Sequence, residues 1–112
     1  MDKYISPENL NDKLGRDLKL TIIDLRQAHE FEKEHIPTAI NIPVDKLADS
    51  LIDVPDDGLV VVYCGQEESS EEMPCLSAVD LLSKTGHKAQ ILEGGYPAWQ
   101  KYEKTARERI RN

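Results

Sequence analysis

The sequence predicts an α/β fold, a mainly parallel sheet with helices on both faces. Three observations predict it. Short apolar runs rich in β-branched residues alternate with helix-like segments, the βαβα order that builds parallel sheets. The run Leu59-Val60-Val61-Val62-Tyr63 is apolar without alternation, as a strand covered on both faces is. Pro, Gly and Asp clusters such as Pro55-Asp56-Asp57-Gly58 separate the elements, with no repeat and no linker between them.

The elements follow in order. Ser6-Pro7-Glu8 offers an N-cap followed by Pro at the first helical position, so a short helix should run to about Leu14. Leu20 to Asp24 is a short β-branched apolar run, a buried strand. Ala28 to Lys33 is a short polar helix. Ala39 to Ile42 is a second strand, stopped by Pro43. Val44 to Leu51 places Leu47 and Leu51 four apart on one helical face. Leu59 to Tyr63 is the central strand. A helix from about Pro74 to Lys84 turns Leu76, Val79 and Leu82 to one side and ends at Gly86. Lys88 to Leu92 is the last strand, Gly94-Gly95 a turn, and Pro97-Ala98-Trp99 the opening of a C-terminal helix. The tail from Lys104 to Asn112 is basic and has little apolar content, so it either frays or lengthens that helix.

Composition narrows the function. A chain of 112 residues with 39% hydrophobic and 31% charged content suits one soluble domain over residues 1–112. No run of 18 apolar residues is present, so no membrane span or membrane partner is expected. The N-terminus lacks an apolar signal region, which points to the cytoplasm. The net charge of −7 argues against nucleic acid as a partner. Two cysteines read as thiols rather than a disulfide framework. His29, His35 and His87 lack metal-ligand spacing, and no metal or organic cofactor is expected.

Cys64 carries the most information. It closes the central strand, and Gly65-Gln66-Glu67-Glu68-Ser69-Ser70 leads on toward a helix. The tip of a parallel strand ahead of a helix N-terminus is where such folds place reactive groups. Loop amides and the helix dipole favour a thiolate there. The plain alternative is an inert core cysteine.

Four stretches in order resemble the rhodanese homology domain. Ile23-Asp24-Leu25-Arg26 is similar to its Asp-x-Arg motif. Glu30 to Ala39, Glu-Phe-Glu-Lys-Glu-His-Ile-Pro-Thr-Ala, is similar to its "EFxxGHIPGA" segment. Val61-Val62-Tyr63-Cys64 resembles the strand ending at the active cysteine. Leu92 to Trp99 resembles the "LEGGxxAW" closure. The likeness covers about residues 4–103, leaving 104–112 as a tail. It implies a small, mainly parallel five-stranded sheet flanked by helices on both faces. It also implies a sulfurtransferase in which Cys64 takes sulfane sulfur from a small-molecule or protein-borne donor, carries it as a persulfide, and yields it to a thiol or other nucleophilic acceptor. Gly65, Gln66, Glu67, Glu68, Ser69 and Ser70 would then surround the outer sulfur and bind substrate through loop amides. Asp24, Arg26, Glu30 and His35 read as structural: Arg26 can pair with a helix carboxylate such as Glu30, and His35 is a solvent-side or hydrogen-bonded residue. Gly94 and Gly95 supply turn geometry, and Trp99 is a packing anchor. A monomer or weak dimer is expected.

Two departures qualify the resemblance. The stretch from Gly65 to Leu76 is twice the usual length and holds Glu67, Glu68, Glu71 and Glu72 with no Lys or Arg. Carboxylates near a thiolate oppose its ionisation and repel anionic donors such as thiosulfate. A capping box of Ser69 with Glu72 would turn part of the stretch into a helical turn with its carboxylates in solvent. Cys75, eleven positions after Cys64, is either a resolving thiol for a Cys64–Cys75 disulfide or a residue packing its helix on the sheet. The competing functions are therefore a non-catalytic interaction module with an acidic docking loop, and a Cys64/Cys75 dithiol redox protein. A third, phosphate chemistry by likeness to cell-cycle phosphatases, lacks a loop arginine to hold an oxyanion.

Overall fold

The computed structural model describes residues 2–16, 19–65 and 74–110. Their order is β1 (Tyr4–Ile5), α1 (Pro7–Leu14), β2 (Leu20–Asp24), α2 (Ala28–Lys33), β3 (Ile40–Asn41), α3 (Leu47–Ser50), β4 (Leu59–Tyr63), α4 (Pro74–Lys84), β5 (Lys88–Leu92) and α5 (Gly95–Ile110), with 3₁₀ turns at Val44–Lys46 and Leu51–Asp53 flanking α3. The five strands form one sheet in the order β1-β5-β4-β2-β3, and every pairing is parallel. The α/β class and the five-stranded sheet flanked by helices are as expected.

The central strands show how one apolar run serves two cores. Side chains alternate across the sheet with period two. Val60 and Val62 of β4 point to one face, with Ile23, Leu47 and Leu82. Val61 and Tyr63 point to the other, with Ile22, Leu10 of α1 and Trp99 of α5. Helix α4 and the segment around α3 cover the first face, and α1 and α5 cover the second. At roughly 25 cal/mol per Å² of apolar area removed from water, each fully buried Val or Ile contributes about 1.5–3 kcal/mol, so the unbroken apolar run supplies much of the core.

Local chemistry sets the element ends. Ser6 caps α1 by accepting a hydrogen bond from the Asn9 amide at 3.1 Å, with Pro7 in the first turn. Three boundaries differ from the sequence expectation. The expected helix from Val44 to Leu51 is a 3₁₀ turn, a four-residue α-turn and a second 3₁₀ turn. Asp45, Asp49, Ser50 and Asp53 are weak helix formers that compete for the backbone, and Leu47 alone of this stretch's pair is fully buried. The expected strand from Ala39 to Ile42 pairs only at Ile40–Asn41. The Ala39 amide is taken by a turn to the Ile36 carbonyl at 3.0 Å, and Pro43 closes the other end. Helix α5 starts at Gly95, ahead of Pro97, and the basic tail extends it to Ile110 rather than fraying. The fifth strand is Tyr4–Ile5, too short to show a period, held because the Ile91 and Glu93 amides donate to the Lys3 and Ile5 carbonyls.

The turn Ile36-Pro37-Thr38-Ala39 has Pro at its second position and Thr38 at φ 70 in its third. That is the pattern of a type II turn, whose third position favours Gly.

Candidate active site

Parallel register brings the functional ends together. Asp24 of β2 lies level with Tyr63 of β4. The chain leaving β2, Leu25-Arg26, therefore runs beside the chain leaving β4, Cys64-Gly65. This is the carboxyl end of the sheet, where the loops of such folds gather.

Cys64 is half-buried and packs against the first core face, at the tip of β4. Its carbonyl accepts a hydrogen bond from the Tyr96 amide at 2.9 Å. That bond sets the first turn of the 16-residue α5 against the backbone of Cys64. The positive end of a long helix thus faces the Cys64 segment. Gly94 at φ 77 and Gly95 at φ 65 make the approach. Two successive left-handed residues swing the chain from the end of β5 back over the β4 tip, and a Cβ on Gly94 would also lie 2.6 Å from that of Ala98.

A buried polar network stands behind Cys64. The Asp24 carboxylate accepts the Arg26 backbone amide at 2.9 Å and its guanidinium Nη2 at 2.7 Å, with Nε bridging both oxygens at 3.0 and 3.1 Å. The Tyr63 hydroxyl donates to Asp24 Oδ2 at 2.7 Å and accepts the Ile36 amide at 3.2 Å. Asn41 donates to the Asp24 and Arg26 carbonyls at 3.0 and 2.9 Å. Asp24 is fully buried, and such a charge needs this degree of satisfaction. Arg26 also donates to the Glu34 carbonyl at 2.6 Å and lies 4.3 Å from the centre of the Tyr96 ring. Burial works against its charge, but the hydrogen bond and charge of Asp24 win and hold its pKa above the ordinary value. The Tyr63 phenol is pushed up first by burial and further by Asp24. Tyr96 is raised by burial and then by Glu34.

Each residue named from the sequence has a place. The carboxylate partner of Arg26 is Asp24 within the same motif, not Glu30. The reason is reach: two residues apart across a turn, Arg26 folds back on Asp24, while no ion pair joins it to Glu30. Glu30 is half-buried, and its Oε2 lies 3.3 Å from where a Cβ on Gly65 would be. Gly65 has no left-handed backbone. Its need is close approach, since the same Cβ would sit 3.1 Å from Cδ of Arg26. His35 is exposed, its Nδ1 bonded to the Phe31 carbonyl at 2.8 Å and its ring stacked on Phe31 at 3.8 Å. Cys75 is 1% exposed, in the core face against which Cys64 packs. Trp99 is a buried anchor whose indole N–H has no partner among the described residues. Gln66, Glu67, Glu68, Ser69, Ser70 and the Ser69–Glu72 capping box lie outside the described residues. Among the described residues no cluster of His, Cys, Asp and Glu could hold a metal, and no helix is long and apolar enough to cross a membrane.

A cleft of about 480 Å³ opens beside Gly65, between α2 and the start of α5. Arg26, Glu30, Lys33, Gly65, Tyr96 and Gln100 line it. Lys33, Tyr96 and Gln100 had not been singled out from the sequence. Tyr63 closes the apolar run and the stretch ending at Cys64, and its buried phenol calls for the hydrogen-bond partner that Asp24 supplies.

Comparison with known proteins agrees with this geometry. The profile of the rhodanese-like domain matches residues 6–102. An HTH-type transcriptional regulator of Mycobacterium tuberculosis is 32% identical over 73% of this chain and 35% of its own length. The chain thus spans about a third of that relative. A sulfurtransferase of Allochromatium vinosum is 26% identical over 91% of this chain and 92% of its own. The crystal structure of a rhodanese-like domain protein from Staphylococcus aureus is 28% identical, with a TM-score of 0.75 over 88% of this chain and 91% of that one.

Proposed function

The chain belongs to the rhodanese-like family, with the match running over residues 6–102, and from that premise we propose that it is a sulfurtransferase forming a persulfide on Cys64. The sulfur then passes to a thiol or other nucleophilic acceptor. The observation that carries the reading is the setting of Cys64: half-buried at the tip of the central parallel strand, its carbonyl bonded to the first turn of α5. Cys64 is half-buried where the loops gather, and the amide end of α5 meets its backbone; a helix's positive end close to a cysteine favours the thiolate and the persulfide anion alike.

In the first half-reaction the Cys64 thiolate attacks the sulfane sulfur of a donor, and the donor leaves with the electron pair of its broken bond. In the second, the acceptor attacks the outer sulfur and Cys64 regains its thiolate. Arg26 takes no part in bond making; its guanidinium is committed to Asp24 and props Gly65. The burial of Cys75 favours a packing role over a resolving one. Treatment with a sulfur donor should add about 32 Da to the protein, an adduct absent in Cys64→Ala. Thiosulfate, polysulfide and a neutral persulfide donor should be compared; failure of all three to add mass would remove the proposal.

A further inference from the structure

We infer that Glu34 is a positioning residue for Cys64, acting through Tyr96. The inference rests on Cys64 being the reactive thiol of the sulfur-transfer reading, and it names what holds that thiol's backbone in place.

The entry to α5 is not stiffened by its own chain. Gly94 and Gly95, both left-handed, precede Tyr96, and a glycine pair leaves the turn free to swing. Yet the Tyr96 amide reaches the Cys64 carbonyl at 2.9 Å, a bond that needs the first turn of α5 held still. The hold comes from the Tyr96 side chain. Its ring centre lies 4.3 Å from the Arg26 guanidinium, and its hydroxyl donates to the Glu34 carboxylate. Tyr96 is 7% exposed, so water is a poor substitute for that acceptor.

Glu34 is the junction on the other side. It closes the C-terminal end of α2. Its carboxylate accepts Gln100 at 2.9 Å as well as Tyr96, residues one turn apart on α5. Its carbonyl accepts Arg26 Nη2 at 2.6 Å. Helix α2 has no fully buried residue and only Phe31 partly buried against the second core, so polar contacts at its end tie it to α5. The segment from Glu30 to Ala39 resembles a pattern with Gly at the position of Glu34, and Gly has no side chain to close this clamp. Opening the clamp frees the first turn of α5, and with it the amide end beside the Cys64 backbone. Helix-end charge effects fall off within a turn, so a small displacement weakens the support given to a thiolate.

Alkylation by iodoacetamide from about pH 6 to 10 tests this, with each cysteine followed separately by peptide mass. Glu34→Ala should slow Cys64 about threefold at neutral pH and move its profile up by about half a unit, the scale of a helix-end charge interaction. Glu34→Gln, which keeps an acceptor for the Tyr96 hydroxyl, should restore most of the rate. Tyr96→Phe should act as Glu34→Ala does, and the double variant should fall short of the product of the two single effects. Cys75 is buried in the core and should stay unlabelled throughout. A Glu34→Ala profile that superimposes on that of the parent protein overturns the inference. Faster labelling of both cysteines overturns it too, because the clamp would then serve fold stability alone. Sulfur uptake by a Glu34→Ala protein with an unshifted profile removes the positioning role and leaves the sulfur-transfer reading intact. A shifted profile on a Cys64 that takes up no sulfur from any donor removes that reading and leaves the clamp.

Discussion

Strand β2 has an ion pair at each end, alike in chemistry and opposite in surroundings. Lys19, just before the strand, meets Asp57 at 3.1 Å with side chains 74% and 58% exposed. Asp24, its last residue, meets Arg26 at 2.7 Å with side chains 0% and 9% exposed. Water screens the first pair, and an exposed pair of this kind adds little. The second has traded water for hydrogen bonds from a guanidinium, a backbone amide and a phenol. The difference shows what burial adds to a charge pair: fixed geometry at a chosen place. That place is the carboxyl end of the sheet, next to Cys64.

The contrast can be broken most directly at Asp24. Asp24→Asn leaves the Arg26 charge buried with no counter-charge, so it should cost about 3–5 kcal/mol of stability in urea unfolding. A loss below about 1 kcal/mol would mean the pair is as dispensable as the exposed one. Alkaline titration sharpens the contrast next. Folding raises the Tyr63 pKa, chiefly through burial, while the unfolded chain ionises its tyrosines near pH 10. Above that pH the folded state holds the extra proton, so stability should be complete below about pH 10 and fall as pH climbs beyond it. Tyr63→Phe should flatten that fall in urea midpoints measured from pH 8 to 11. The smallest effect belongs to the outer pair: Asp57→Asn should leave the melting temperature unchanged at physiological salt, although Lys19 holds the Asp57 carboxyl below its ordinary value. A clear drop would show that the outer pair also matters.

Legibility in the sequence followed the same division. Elements built from a repeated pattern were readable: the Leu59–Tyr63 run, the Ser6-Pro7 cap and the glycine pair before α5 each carry their own physical signal. The parallel sheet and the position of Cys64 followed from their order. Elements made by tertiary contact were not. The strand Tyr4–Ile5 exists because β5 offers it amides and carbonyls. The segment after Pro43 bends around Leu47 rather than winding as one helix. Asp24 and Arg26 were visible as a motif, but the partner chosen by Arg26 depended on how far its side chain folds back. The cleft was hidden because α2 and α5 are some 65 residues apart in sequence and meet only in the fold, as the Gln100–Glu34 hydrogen bond shows.

Thr38 carries an unused opportunity. A branched side chain held at φ 70 sits in a conformation that only neighbouring bonds enforce, here the Ala39 amide on Ile36 and the Ile36 amide on Tyr63. Thr38→Gly should relieve the crowding and raise stability by about 1 kcal/mol, less whatever freedom glycine restores to the unfolded chain. A thermal melt would register the gain. The protein therefore has a route to greater heat tolerance at a turn away from the tip of β4.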